Sequence, residues 1–222
     1  MVIPIGDQNR PGAPVPYVTY AIVALNALVF IYMLTLSTTR LESFVLTYGA
    51  VPANIAHGEG LITLLTSTFI HGGWLHIIGN MIFLWVFGDN IEAALGHWIY
   101  LAFYLVAGVL AGLSQVVVDL QSTIPSIGAS GAIAGVMGCY AILFPAREVR
   151  VLIIAVVTRV SALVFLGVWA LLQFFNGLLA LRVQTAQTAQ TGGVAVWAHV
   201  GGFAFGVVVG LIAHEEHRET RG

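Results

Sequence analysis

Ser130 and His199 are the two residues of this chain with the clearest capacity for chemistry. A serine hydroxyl is a poor nucleophile until a base takes its proton, and His199 is the candidate base. Ser130 lies in Gly128-Ala129-Ser130-Gly131 at the start of a predicted helix, where backbone N–H groups without intrahelical acceptors stabilise developing negative charge. His76 and Asn80, at i and i+4, share one face of another predicted helix. They could supply side-chain donors to the same oxygen, each donor being worth about 10²–10³ in rate. No buried Asp or Glu is available to orient the histidine, so the expected arrangement is a dyad and not a triad.

The elements that must hold these residues are membrane spans. Of 222 residues, 59% are apolar and 8% charged, and lysine is absent, so the charged surface of a soluble domain cannot be built. The net charge of −2 excludes a basic nucleic-acid binder, and the single cysteine, Cys139, allows no internal disulfide. A bilayer core of about 30 Å needs roughly 20 apolar residues per helix. Six such runs lie at 17–36, 74–88, 98–118, 127–144, 160–181 and 194–213. The expected fold is therefore all-α, a polytopic bundle of six transmembrane helices over 17–213, between a segment 1–16 and a tail 214–222. The first run follows a Pro-rich stretch (Pro11, Pro14, Pro16) with one basic residue, Arg10, and is too long for the apolar core of a signal peptide, so it reads as a retained span. No internal repeat is evident.

Arginines set the orientation, because positively charged loops tend to stay on the cytoplasmic side. Arg10, Arg147, Arg150, Arg159, Arg218 and Arg221 fall on one side, with only Arg40 and Arg182 on the other. Both termini are then expected in the cytoplasm, of a prokaryotic cell at its inner membrane. The long first connection, 37–73, faces outward, and its stretch Leu41 to Ile55 is expected to lie on the surface and not to span.

Heights follow from a rise of 1.5 Å per residue. Ser130 stands roughly 25 Å above Arg147, His199 roughly 22 Å above His214, and His76 roughly 20 Å above Asp89, with Asn80 about one turn deeper. Spans two, four and six all begin on the outer side, so these residues converge on one layer about 5–10 Å below the outer edge of the core. Span four carries Gly131, Gly135 and Gly138, and span six Gly202, Gly206 and Gly210, a small-residue pattern that permits close packing. His199 shares the glycine face of span six, and Ser130 is offset from Gly131 by about 100°, so a Ser–His contact is sterically feasible.

With these residues in place, the chain resembles the rhomboid family of intramembrane serine proteases from about Tyr17 to His214. The resemblance rests on His71-Gly-Gly-Trp-Leu-His76-Ile-Ile-Gly-Asn80, on Gly-Ala-Ser130-Gly followed by Gly135 and Gly138, and on Ala198-His199-Val-Gly-Gly202-Phe-Ala-Phe-Gly206. Phe87-Gly88-Asp89-Asn90-Ile91-Glu92, and Trp169 with Gln173, are supporting matches. It implies an endopeptidase that cuts transmembrane helices of other proteins near the outer membrane face, without metal or cofactor. Ser130 would be the nucleophile, His199 the base, and His76, Asn80 and the Ser130 amide the oxyanion site. Substrate would enter laterally between spans two and five, where Trp169 and Gln173 are candidate gate residues. The expected substrate is a single-pass protein with helix-breaking residues in its upper half and a small residue before the scissile bond.

Two positions depart from the family pattern. Ala134 stands where some members stack a tyrosine or phenylalanine on the histidine, and the first outer loop lacks the Trp-Arg pair of some members. Other readings of the same residues exist. Ser130, His76 and Asn80 could be interhelical packing and hydrogen-bonding groups. His71 fits a loop-shaping role, and its spacing from His76 does not match the zincin pattern. Cys139, roughly 13–14 Å deeper than Ser130, reads as packing; Asn26, Gln115 and Asn176 as interhelical partners; His57, His97, His214 and His217 as solvated. Competing functions are a rhomboid-like pseudoenzyme that binds transmembrane helices without cutting them, and a haem- or ion-binding protein using His76 and His199.

Overall fold

The computed structural model describes residues 2–8, 12–182 and 195–219. Arg10, Pro11 and Arg221, and residue 194 at the start of the sixth expected run, lie outside the described residues. The chain begins with strand β1 (Val2–Gly6), followed by α1 (Tyr17–Leu34) and three short helices, α2 (Thr38–Tyr48), α3 (Pro52–Ala56) and α4 (Thr63–Thr66). A 3₁₀ turn (Ser67–Phe69) leads to α5 (Trp74–Leu95), α6 (His97–Val118) and α7 (Ser130–Leu143). Strands β2 (Glu148–Ile153) and β3 (Val156–Ser161) precede α8 (Ala162–Arg182) and α9 (Val196–Glu219).

This is a helical integral membrane protein. Four helices, α1, α6, α8 and α9, are each long and apolar enough to cross a bilayer. A fifth span is available if Thr63–Phe69 and α5, which meet at a 96° bend, count as one. The expected run at 127–144 forms the 14-residue α7, about 21 Å long and so shorter than a ~30 Å core. Along α8, Leu163, Val164, Val168, Leu171, Leu172 and Leu179 are exposed, an apolar surface suited to contact with lipid. By contrast, α7 is buried from Gly131 through Ala141. It is the central post of the bundle.

The expected all-α class misses one element. The strands form an antiparallel sheet in the order β1-β2-β3, pairing Val2 with Ile153 and Glu148 with Ser161. Its cause is legible in Glu148-Val149-Arg150-Val151, where Val149 and Val151 are buried and Arg150 is exposed, a period of two. Asp7, just past β1, accepts a hydrogen bond from the Tyr140 hydroxyl on α7 and another from the Asn90 amide at 2.9 Å. Arg147 donates to Asn90 and to the Gln8 carbonyl at 3.0 Å, so the N-terminal strand is tied to the C-terminal end of α7.

At the start of α1 a single carboxylate holds two helices together. Glu92, fully buried near the end of α5, accepts from the Val18 amide at 2.9 Å and from the Thr19 amide and hydroxyl at 2.7 Å each. These are N-terminal amides of α1, which helix geometry leaves without intrahelical acceptors. His97 lies 2.6 Å from the same carboxylate, so it is paired and not simply solvated.

Candidate active site

The site is framed by α7 and α9, whose glycines bring the two backbones into direct contact. A Cβ added at Gly202 would strike the Gly131 carbonyl, and one at Gly206 the Gly135 carbonyl. The contacts advance by four residues on both helices at once, so α7 and α9 run parallel and both begin at the same end of the bundle. Gly138 makes the same kind of approach to Phe203. No side chain other than hydrogen fits between the helices here.

Ser130 is the first residue of α7. The first helical amide bond on α7 runs from Ile133 to the Ala129 carbonyl at 3.0 Å, which leaves the amides before it to other acceptors. Upstream, the chain is pinned from outside: the Gly128 amide bonds Ser67 O at 2.9 Å, and Ser126 exchanges backbone bonds with Ala50 at 2.8 and 3.0 Å. The connection 37–73 therefore braces the approach to Ser130.

His199 on α9 is 7% exposed, and its Nε2 lies 2.8 Å from Ser130 Oγ. Its Nδ1 lies 3.0 Å from Gln173 Oε1 on α8. Trp169, one turn before Gln173, packs its ring 5.7 Å from the imidazole centroid at 40°. Ala134, buried on α7, leaves the histidine without an aromatic neighbour from that helix, and Trp169 supplies one from α8.

His76 and Asn80 sit on α5 beside Gly128. A Cβ on Gly128 would lie 2.6 Å from His76 Nε2 and 3.6 Å from Asn80 Nδ2. Gly128 has φ +121°, a conformation open to glycine and not to other residues. His76 Nδ1 accepts from the Gly72 amide at 3.4 Å, so in the neutral ring Nε2 carries the proton and is the donor. Asn80 is fixed by His71, for which the sequence favours a loop-shaping role. His71 is 1% exposed, and its Nε2 accepts from Asn80 Nδ2 at 2.9 Å, leaving the second Asn80 N–H available.

The remaining candidates lie elsewhere. Cys139 is fully buried lower on α7. Asn26 donates to Ile22 O of its own helix at 2.8 Å and Asn176 is exposed, so among the described residues neither makes the expected interhelical pair. Gln115 Oε1 has no partner among the described residues. Nor do the described residues include a group of three or more His, Cys, Asp or Glu side chains placed to hold a metal ion.

A hydroxyl within hydrogen-bond distance of an imidazole nitrogen, beside helix-terminal amides and two side-chain donors, is suited to attack on a carbonyl and to holding the resulting oxyanion. Residues 58–216 match the family model described as the Rhomboid domain. The chain is 33% identical over 157 residues to "Rhomboid protease GluP" of Bacillus subtilis, covering 68% of this chain and 30% of that protein. It is 29% identical over 168 residues to "Rhomboid protein 1, mitochondrial" of Saccharomyces cerevisiae, 72% of this chain and 45% of that one. To "Presenilin-associated rhomboid-like protein, mitochondrial" of Mus musculus it is 29% identical over 205 residues, 87% and 48% of the two chains. The chain spans less than half the length of each of these relatives.

Proposed function

The chain belongs to the rhomboid family, and from that membership we propose that it is an intramembrane serine endopeptidase cleaving transmembrane helices of other membrane proteins near the outer membrane face. The observation that carries this reading is the 2.8 Å contact between Ser130 Oγ and His199 Nε2 across the α7–α9 seam.

In this mechanism Ser130 Oγ attacks the scissile carbonyl carbon as its proton passes to His199 Nε2. The carbonyl oxygen becomes an oxyanion, held by the Ser130 amide, His76 Nε2–H and the free Asn80 N–H. The C–N bond then breaks, and His199 returns the proton to the leaving amine. Water attacks the acyl-enzyme, giving its proton to His199; the Ser130 ester bond breaks and the serine regains its proton. The chemistry calls for no metal or cofactor.

A helical substrate shields and hydrogen-bonds its own carbonyls, so the segment to be cut must unwind. The proposed substrate is a single-pass protein with helix-breaking residues in its upper half and a small residue before the cut. It enters laterally between α5 and α8, past Trp169 and Gln173. In the proposed topology α1, α5, α6, α7, α8 and α9 are six spans forming one domain, 17–213, with both termini in the cytoplasm and the chain in a prokaryotic inner membrane.

The test is cleavage of a transmembrane substrate by purified protein, together with labelling by a serine-reactive fluorophosphonate mapped by mass spectrometry. Cleavage and an adduct on Ser130, both lost in Ser130→Ala and His199→Ala variants of intact fold, are expected. Processing that persists in Ser130→Ala would sink the protease reading. A folded wild type that neither labels nor cleaves would move the assignment to a helix-binding pseudoenzyme.

A further inference from the structure

His199 has two ring nitrogens, and only one tautomer of the neutral ring can act as the base. Nε2 must be bare to take the Ser130 proton, so Nδ1 must carry the hydrogen, and something must accept it. In a Ser-His-Asp triad a buried carboxylate does this. Here the group at Nδ1 is the side-chain carbonyl of Gln173, 3.0 Å away. Building on the proposed endopeptidase reading, we propose that Gln173 is the positioning residue of the base: a neutral third member that accepts from His199 Nδ1–H and so holds Nε2 bare toward Ser130.

Three observations support this beyond the single distance. Trp169 and Gln173 stand at i and i+4 on α8, so one helical face delivers both, the ring tilted against the imidazole and the amide to its Nδ1 edge. Trp169 also packs on Phe203, one turn past His199 on α9, which locks the helix face that presents Gln173. Finally, α7 offers only Ala134 at the position one turn after the serine, so the restraint on His199 has to come from α8. Among the described residues His199 is hydrogen-bonded to Gln173 and Ser130 and to no carboxylate, and the titratable side chain nearest in the site is His76 on α5. A neutral acceptor fits this water-poor depth, because a carboxylate there would have to be desolvated.

A role in packing alone and a role in orientation predict opposite orders for two variants. Gln173→Met keeps the volume and loses the acceptor; Gln173→Glu keeps the acceptor and adds a charge. Orientation predicts that Gln173→Met lowers kcat about 10- to 100-fold with KM nearly unchanged, a part of the 10²–10⁴ that general-base catalysis supplies. It predicts that Gln173→Glu retains more activity than Gln173→Met, with the acidic limb of its rate profile moved to higher pH, since the carboxylate favours the imidazolium. The rate of fluorophosphonate labelling at Ser130 should fall in the same order. Both variants are compared with wild type by thermal unfolding, so that loss of fold is not read as loss of orientation. Wild-type kcat in Gln173→Met, or equal loss in two folded variants with no displaced pH limb, would overturn the assignment of Gln173 alone. A wild type that neither cleaves nor labels would overturn the endopeptidase reading, and this role with it.

Discussion

The His71 ring accepts a hydrogen bond from the Asn80 amide at 2.9 Å, joining the turn before α5 to a residue two helical turns inside it. The bond decides which atoms of Asn80 face the serine, because it turns Nδ2 and its second hydrogen toward Gly128. If His71 works through Asn80, His71→Ala should lower kcat about 10-fold and Asn80→Ala about 10²–10³-fold. The double variant should be no worse than Asn80→Ala, since effects that share one route do not add. A fully additive double variant in a cleavage assay would separate the two residues.

Gly128 meets two demands that no other residue satisfies together, a φ of +121° and a Cα within reach of His76. Gly128→Ala should therefore displace His76 or the loop, and kcat should fall by at least 10-fold while the protein stays folded. Activity set beside the melting temperature is the measurement.

The seam gives a paired prediction. Gly202→Ala puts a methyl group against the Gly131 carbonyl, a backbone atom that cannot swing aside, and should cost about 1–3 kcal/mol and most of the activity. Gly167→Ala on α8 meets nothing within 4 Å and should be neutral or stabilising by up to about 1 kcal/mol. Unfolding in detergent, with both variants side by side, reads the difference.

Two pH effects with opposite signs are expected. Cleavage should fall on acidification, because a protonated His199 can no longer take the Ser130 proton. The Asp7 carboxyl is pushed above its ordinary 3.8 by burial, against the lowering pull of the Tyr140 bond and of Arg147 and Arg150. A raised folded-state value means that the contribution of Asp7 to stability is complete below 3.8 and is lost as pH rises through that higher value. Asp7→Asn should remove this part of the pH dependence, as melting curves over the acid range would show.

Glu92→Ala would strand the Val18 and Thr19 amides and the Thr19 hydroxyl, and would take the partner from the half-exposed His97. Leaving buried donors unmet costs about 1–3 kcal/mol each, so the loss should be among the largest of any single substitution in this chain. Thermal unfolding should show it even where Ser130 still labels, because α1 does not carry the dyad.

How much of this was legible in the sequence depended on whether the signal was local. The long helices α1, α6, α8 and α9 are visible as apolar runs, and counting residues along helices is enough to expect Ser130 near His199 and to place His76 and Asn80 on one face. The glycine spacing that let α7 meet α9 was equally plain. The sheet was missed because its first strand lies about 140 residues from its partner, although the alternation in Glu148–Ile153 was readable. His71 and Gln173 were named for other reasons, since no spacing rule connects a turn histidine to Asn80 or a residue of α8 to one of α9. The short α7 could not be told from a full span, because its flanks at 127–129 and Phe144 are as apolar as the helix itself.

The contact between α7 and α9 makes the interval between hydroxyl and imidazole a matter of main chain and not of side-chain filling. Where methyl or isobutyl groups separate two helices, the gap can breathe as they change rotamer; where carbonyl meets Cα, nothing is left to compress. The seam is a gauge block cut to one thickness. Changes in lipid composition or bilayer thickness that tilt the outer helices should thus alter how often a substrate is admitted far more than how fast a seated one is cut.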